Sequence, residues 1–317
     1  MGKLLILDGH AVIHRAFHAV PPMASGGQQI NALYGFYATL IASLEKIKPK
    51  YLAICMDPPG PVFRNEEYLA YRSQRKPAPP ELRSQFPIIK ESLQAAHLPL
   101  FSVGGYEADD AIGTITKKAL KRISKKTKKK LVDEIYILTG DRDLMQLIDD
   151  KCSLLMPGRG MSDLQITKSE QSIERLGVTP DKVVDLKAIT GDSSDNYPGV
   201  PGVGPVGAIK LLDEYHTLDN IYKNIDSLPE KIKQKFIDHK DDAYMSQRLA
   251  QLVFDVPLDF KLKDLKYSKK TRKNLIAMFQ TYNFKSLTYR LEGKHRQDSG
   301  LKKIAPPKVD ENQQSLF

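Results

Sequence analysis

Nine acidic side chains fall in five short clusters: Asp8, Asp57, Glu107-Ala108-Asp109-Asp110, Asp141-Arg142-Asp143 and Asp192-Ser193-Ser194-Asp195. Each cluster stands at the end of an apolar run, at a turn or at a helix start. Any one of them alone reads as an N-cap or a surface acid, because Asp is common at helix starts; nine together in a basic chain read as a shared site. Carboxylates forced into one crevice repel and raise one another's pKa unless a cation neutralises them, and an all-oxygen donor set suits Mg²⁺ or Mn²⁺ rather than zinc. Two or more such ions, about 4 Å apart, would polarise a phosphodiester, lower the pKa of a bound water and stabilise the attacking and leaving oxygens of an in-line displacement. The chemistry this pattern suits is phosphodiester hydrolysis.

Bringing acids from such distant positions together requires a particular scaffold. Leu4 to Leu7 before Asp8, Tyr51 to Met56 before Asp57, and Glu134 to Leu138 before Thr139-Gly140-Asp141 read as short buried strands that each end in an acid. Leu33 to Ile47 and Ala108 to Ile123 carry apolar residues at helical spacing. Continuous apolar strands alternating with helices predict an α/β fold with a mostly parallel central sheet, in which ligands bind at the carboxyl ends of the strands where strand order reverses. In Glu107-Ala108-Asp109-Asp110 the acids lead straight into an apolar helix, so they occupy its first turn, where the helix dipole favours negative charge. From about residue 178 strand signals fade and short helices punctuated by Pro and Gly take over. The expected organisation is an α/β metal-binding domain over 1–177, a helical domain over 178–291 and a flexible tail over 292–317, too poor in apolar residues to repay the cost of ordering.

The whole chain, 317 residues with 41% hydrophobic content, can bury an ordinary core. Its net charge of +10 and pI near 9.3 favour a polyanionic partner, nucleic acid or an anionic surface. Cys55 and Cys152 form no C-x-x-C pair, which argues against a disulfide framework or a zinc site and for a reducing, cytoplasmic setting. The apolar run at the start is far too short for a signal peptide or membrane span. The lysine-rich run Lys117 to Lys130 reads as a solvated helix end and loop.

A glycine-rich segment, Pro198-Gly199-Val200-Pro201-Gly202-Val203-Gly204-Pro205, opens a helix containing Lys210. Glycines let backbone approach a phosphate while exposed N–H groups and the helix N-terminus attract it. A nucleotide-binding loop is disfavoured because no strand immediately precedes it. Beside Asp192 and Asp195, a sequence-independent contact to a nucleic-acid backbone is the better reading.

Taken together these motifs resemble the 5′-nuclease family, which includes the 5′–3′ exonuclease domain of bacterial DNA polymerase I, phage 5′-exonucleases and flap endonucleases. The likeness rests on Leu7-Asp8-Gly9 with Arg15-Ala16-Phe17-His18, Met56-Asp57 with Phe63-Arg64, Tyr71-Arg72-Ser73-Gln74-Arg75, Glu107-Ala108-Asp109-Asp110, Thr139-Gly140-Asp141-Arg142-Asp143 and Gly191-Asp192-Ser193-Ser194-Asp195-Asn196-Tyr197-Pro198-Gly199-Val200, in the family's order over about residues 3 to 260. The resemblance implies a PIN-like core with a helix-three-turn-helix module. It implies that Glu107, Asp109, Asp110 and Asp141 serve mainly one metal group and Asp143, Asp192 and Asp195 the other, with Asp8 and Asp57 nearby. It also implies duplex contacts through Gly199, Gly202, Gly204 and Lys210, with K⁺ held by loop carbonyls.

Residues 71–98 look like the family's helical arch, with Arg72, Arg75, Lys76 and Arg83 facing phosphates and Tyr71 offered for base stacking; the bland alternative is a solvated basic helix. Arg72 departs from the family, whose bacterial members commonly carry lysine there, and its planar fork puts rate rather than reaction type in question. Arg15 matches a contact to the scissile phosphate. The expected partners are branched, flapped or nicked double-stranded DNA and RNA primers on DNA, met by a standalone, monomeric, nucleoid-associated bacterial enzyme without membrane attachment. Gln313-Gln314-Ser315-Leu316-Phe317 resembles the short peptide that docks replication proteins on the sliding clamp, through Gln313, Leu316 and Phe317. A non-cutting binder of branched DNA and a toxin-like RNA endonuclease are the competing readings. The first is set apart by binding without cleavage in Mn²⁺, the second by preference for single-stranded RNA.

Overall fold

The computed structural model describes residues 2–123, 129–158, 160 and 163–293. The tail residues Gln313, Leu316 and Phe317, and 124–128 of the lysine-rich run, lie outside the described residues.

Eight strands are present among the described residues: β1 (Lys3–Asp8), β2 (Ala24–Ser25), β3 (Gln28–Gln29), β4 (Tyr51–Cys55), β5 (Leu100–Phe101), β6 (Glu134–Leu138), β7 (Cys152–Pro157) and β8 (Leu164–Thr167). β2 and β3 form a small ribbon; the others form one sheet in the order β5-β4-β1-β6-β7-β8. β1 pairs in parallel with β4 on one side and β6 on the other, β5 and β7 extend the parallel sheet, and β8 closes one edge antiparallel to β7. The strand order therefore reverses beside β1, at the carboxyl ends of β1, β4 and β6, as the three acid-tipped strands predict.

Both faces of the sheet are covered. Leu4 and Ile6 of β1 face a core shared with Ala111, Ile112 and Ile115 of the helix Ala108–Leu120. Leu5 and Leu7 face a second core shared with Leu33, Phe36 and Leu40 of the helix Asn31–Ile47. All four β1 leucines and isoleucines are fully buried, which is why the strand reads as an unbroken apolar run.

The helices after residue 178 include Val183–Thr190, Pro205–Tyr215, Glu230–Asp238 and Lys240–Ala250. Val203, Ala208, Leu212 and Phe236 join the same core as Leu4 and Ile6. The last two helices, Lys269–Thr281 and Lys285–Glu292, depart from the expected organisation. Leu275, Phe279, Phe284 and Leu287 pack on the other side of the sheet with the helix Asn31–Ile47, and Arg290 bonds Glu45. Helical periodicity shows that a face is buried but not against what, so the sequence placed these helices with their neighbours in the chain.

No helix among the described residues is long and apolar enough to cross a membrane.

Candidate active site

Asp8 ends β1 and caps the helix Gly9–Ala19: its Oδ1 accepts from the Ala11 N–H at 3.1 Å. Its Oδ2 accepts from the Thr139 hydroxyl at 2.8 Å, and the same Oγ1 accepts from the Asp141 N–H at 2.9 Å. One threonine at the end of β6 thus fixes the spacing of the first and third acidic strand ends. Asp57, after β4, receives the Ala108 N–H at 2.8 Å, so it caps the helix that carries Asp109. Its own N–H donates to His10 Nδ1 at 3.0 Å, which makes that nitrogen an acceptor and the ring neutral; burial lowers the His10 pKa in the same sense.

Asp8, Asp57, Asp109 and Asp141 line one cleft of about 370 Å³, rimmed by His14, Arg72 and Arg75. Burial raises the Asp8 pKa to about 7, with Asp141 and Asp57 adding repulsion against the hydrogen bonds from Ala11 and Thr139. Asp109 is pushed well above the usual carboxylate range by burial and by Asp8, Asp141, Glu107 and Asp57. These are the signatures of carboxylates buried together, with desolvation the leading cause and mutual repulsion adding to it. Among the described residues no three His, Cys, Asp or Glu side chains converge closely enough to chelate an ion outright. The donor set nonetheless fits Mg²⁺ or Mn²⁺, because these hard cations keep several waters and need only one or two carboxylates directly. A larger hollow of about 780 Å³ opens beside Glu134, Lys151 and Asp181, but none of the nine acids lines it.

The remaining acids are neutralised by the protein itself. Asp110 is fully buried and bidentate with Arg64, at 2.7 and 2.9 Å, and also accepts the Val253 N–H at 2.9 Å and the Glu107 N–H at 3.1 Å. Arg64 reaches onward to the Leu249 and Gln251 carbonyls. Asp110 is therefore a correction to the expected ligand set: its oxygens are spent on a structural clamp between the helix Ala108–Leu120 and the segment after Ala250. Glu107 sits between Arg64, at 3.2 Å, and Arg72. Burial pushes its pKa up to about 7 against the pull of Arg72 and Arg64.

Asp195 accepts from Arg72 Nε and Arg75 Nη2, each at 3.0 Å, and from the Tyr71 hydroxyl at 3.0 Å. Tyr71 is 3% exposed, so its expected role as a base-stacking platform is corrected. It is a buried hydrogen-bond donor whose hydroxyl also faces Glu107 at 3.2 Å. Lys187, on the helix Val183–Thr190, bridges Asp143 Oδ1 at 2.7 Å and Asp192 Oδ2. Burial raises Asp143 to about 6 despite Lys187, whereas Lys187, Ser194 and the Asp195 amide outweigh burial to hold Asp192 below the usual range.

Arg15 donates to the Gly158 carbonyl in this state rather than pointing freely into the cleft. Residues 71–98, the stretch expected to form an arch, are anchored over their second half. Leu82, Ile89 and Leu93 are buried, and Gln85 accepts the Ala32 N–H at 2.8 Å, so the helix Gln85–Ala95 is docked on the helix Asn31–Ile47. The longest mostly exposed run in this stretch lies around Ser73 to Glu81 and carries Arg75 and Lys76, with Arg83 exposed just beyond it.

In the glycine-rich turn, Gly199 has φ +64° and its N–H donates to Ser246 Oγ at 3.0 Å; a Cβ there would lie 2.2 Å from the Gly191 nitrogen. Gly199 is therefore structural, whereas Gly204 caps the helix Pro205–Tyr215 beside open space and Lys210 is exposed. The carbonyls of Val200, Gly202 and Gly204 accept from Val203 N–H, Lys235 Nζ and Ala208 N–H, at 3.0, 2.6 and 3.0 Å.

Sequence reasoning missed Lys187, Thr139 and the structural part played by Arg64. Arg64 and Thr139 stand inside the motifs Phe63-Arg64 and Thr139-Gly140-Asp141; Lys187, five residues before Asp192 on the helix leading into it, was the signal available for the third.

The family model described as 5′-3′ exonuclease, N-terminal resolvase-like domain matches residues 3–177, and that described as 5′-3′ exonuclease, C-terminal SAM fold matches residues 178–273. DNA polymerase I of Bacillus subtilis is 36% identical over 307 residues, covering 95% of this chain and 34% of that protein. DNA polymerase I of Caldicellulosiruptor bescii is 37% identical over 294 residues, covering 91% and 33%. The chain thus spans about a third of the length of these curated relatives. Among solved structures, a complex of the phage T5 D15 flap endonuclease with DNA and metal ions aligns with TM-score 0.61 and 22% identity over 92% of this chain and 98% of that one. The catalytic core of Rad2 in complex with DNA substrate aligns with TM-score 0.58 and 16% identity over 93% and 92%. Those two share the fold: a mostly parallel PIN-like sheet flanked by helices, with a C-terminal helical module. With both family models matching consecutive stretches of it, and with the acidic strand ends meeting where the parallel sheet reverses, this chain belongs to the 5′–3′ exonuclease family.

Proposed function

We propose that the chain is a divalent-metal-dependent 5′–3′ exonuclease and 5′-flap endonuclease that hydrolyses phosphodiesters in DNA, and in RNA primers paired to DNA, during replication and repair. The observation that carries this reading is the cleft in which Asp8, Asp57, Asp109 and Asp141 meet, with Asp8 and Asp109 held above the usual carboxylate range by burial, beside a basic turn. Asp8, Asp57, Asp109 and Asp141 would hold one Mg²⁺ or Mn²⁺ ion, directly or through water, and Asp143, Asp192 and Asp195 a second. When bound, the ions supply Lewis acidity and a water of lowered pKa.

The chain's own residues supply position. Arg72 and Arg75, which rim the cleft, exchange Asp195 and Glu107 for the scissile phosphate when substrate arrives, and Arg15 joins them from the helix Gly9–Ala19. Their fixed charge stabilises the extra negative charge of the pentavalent transition state. Gly202, Gly204 and the N-terminus of the helix Pro205–Tyr215 meet the duplex backbone, with Lys210 close by. Lys76 and Arg83 lie along the single-stranded 5′ end. The products are 5′-phosphate and 3′-hydroxyl ends. The enzyme works as a monomer in the bacterial cytoplasm at the nucleoid, and the peptide Gln313 to Phe317 tethers it to the sliding clamp.

The test is cleavage of a 5′-labelled flap duplex with and without Mg²⁺, mapped at nucleotide resolution. Magnesium-dependent cuts at or next to the junction are expected. Tight flap binding with no cut in Mg²⁺ or Mn²⁺ replaces this reading with a non-cutting binder of branched DNA, and preference for single-stranded RNA replaces it with an RNA endonuclease.

A further inference from the structure

Lys187 lies in the middle of the second group of acids. Its ammonium is 2.7 Å from Asp143 Oδ1 and also bonds Asp192 Oδ2, and the side chain is 20% exposed. Asp143 begins a short helix on the sheet domain, and Asp192 follows the helix Val183–Thr190 that carries Lys187 itself. One ammonium thus spans residues on either side of the junction between the two matched family regions. The cleft lined by Asp8, Asp57, Asp109 and Asp141 has no lysine in its lining, and its two arginines, Arg72 and Arg75, are paired with Glu107 and Asp195 instead.

We propose that Lys187 is a built-in cation of the second group: it neutralises and spaces Asp143 and Asp192 in the ion-free enzyme, and a divalent ion enters that group only by displacing it. This rests on the reading of Asp143 and Asp192 as metal ligands. A lysine suits the task, because its ammonium is a compact point charge on a flexible four-carbon stem that can swing away as one unit, unlike a forked guanidinium. A doubly charged ion outcompetes one ammonium for two carboxylates, but it must do so against an existing partner, whereas in the first group it meets uncompensated charge. Loading is therefore ordered: the first group fills at lower ion concentration and the second at higher. The exposed side of Lys187 gives the displaced ammonium a path to solvent or to a substrate phosphate. Lys187 is in this account a positioning residue.

The experiment is direct Mn²⁺ binding to the full chain without DNA, by calorimetry and by the electron paramagnetic resonance signal of free Mn²⁺. Wild type is expected to show a tight and a weak class of site. Lys187→Met is expected to tighten the weak class by about tenfold, the scale on which residues beside metal ligands tune affinity, and to leave the tight class unchanged. Asp143→Asn removes the weak class, and Asp109→Asn the tight one. If the Lys187→Met isotherm superimposes on wild type while Asp143→Asn still removes a site, Lys187 is not a competitor and the proposal is overturned with the ligand reading intact. If Lys187→Met abolishes the weak class, the lysine organises the site rather than yielding it, and displacement is again overturned. If neither Asp143→Asn nor Asp192→Asn changes the isotherm, the ligand reading itself fails and takes the proposal with it. Lys187→Gln, judged by its melting curve, replaces the methionine variant if that one does not fold, and the same outcomes apply.

Discussion

The acids of this molecule divide into two populations that look alike in the sequence and opposite in the fold. Asp8, Asp109 and Asp141 share a cleft with other carboxylates, and burial holds Asp8 and Asp109 towards protonation. Asp110, Asp143, Asp192 and Asp195 sit at comparable depth but each has an arginine or lysine in contact: Arg64, Lys187, Arg72 or Arg75. The first population stores repulsion, which a bound cation would relieve. In the second a basic side chain already supplies part of that relief, although burial still holds Asp143 above its ordinary range, and these pairs help join the two parts of the chain. The lesson is that a carboxylate's part in such a site is set by who else holds it, since residue type and helix-start position were the same in both.

Four measurements would break or sharpen that division. The largest effect is expected for Asp109→Asn. Cleavage of a flap duplex in Mg²⁺ should fall by roughly three orders of magnitude, equivalent to ~4 kcal/mol of transition-state stabilisation, while flap binding persists and the metal-free protein melts higher because one repelling charge is gone. Retained cleavage would place Asp109 outside the site. Next in size, Asp110→Ala should cost about 3–5 kcal/mol in urea unfolding, because it strands the buried Arg64 charge. A loss of cleavage without loss of stability would return Asp110 to the ligand set.

The third concerns pH. A carboxyl whose folded pKa lies above its unfolded value binds more protons in the native state, so its contribution to stability is fully present below the unfolded pKa and lost as pH rises through the folded one. For Asp8 that window runs from the model-peptide value of 3.8 to about 7. The metal-free melting temperature should therefore drift down across this range, and saturating Mg²⁺ should flatten the drift by favouring the ionised form. A metal-independent profile would mean that the cleft binds no cation. The smallest effects belong to the exposed basic residues after Arg75. Lys76→Ala and Arg83→Ala should each weaken flap binding a few-fold and lower the slope of log affinity against log salt by about one; an unchanged slope would leave them as ordinary surface charges.

Much of this was legible in the chain. Leu4 to Leu7, Tyr51 to Cys55 and Glu134 to Leu138 announced parallel strands by being apolar without alternation, and their terminal acids marked the site because strand ends and topology rule together allow only one place for them to meet. The partition of the acids was not legible. Arg64 is 46 residues from Asp110 in the chain, and no local pattern reports that its guanidinium will be buried against that one carboxylate. Tyr71 misled for a related reason: an aromatic beside arginines suits stacking on a base, and only the packed structure shows its hydroxyl directed inward at Glu107 and Asp195. The helix Gln85–Ala95 carried both a basic approach and an apolar face; the buried Gln85 amide, bonding the Ala32 N–H, settles which end is anchored.

The double-sided burial of β1 has a consequence for how the gene can change. Because Leu4, Leu5, Ile6 and Leu7 are all apolar, sliding the strand by one residue would exchange its two faces without exposing an oily side chain, so hydrophobicity does little to lock the alignment. The lock is the polar end: Asp8 held by Ala11 and Thr139. A codon for a further apolar residue inserted within β1 should therefore yield a protein that still folds yet has its first acid aimed at the wrong side of the sheet, whereas a deletion would draw Lys3 or Asp8 into a fully buried position and cost stability as well. Insertions of this kind would be purged for lost chemistry rather than for lost stability.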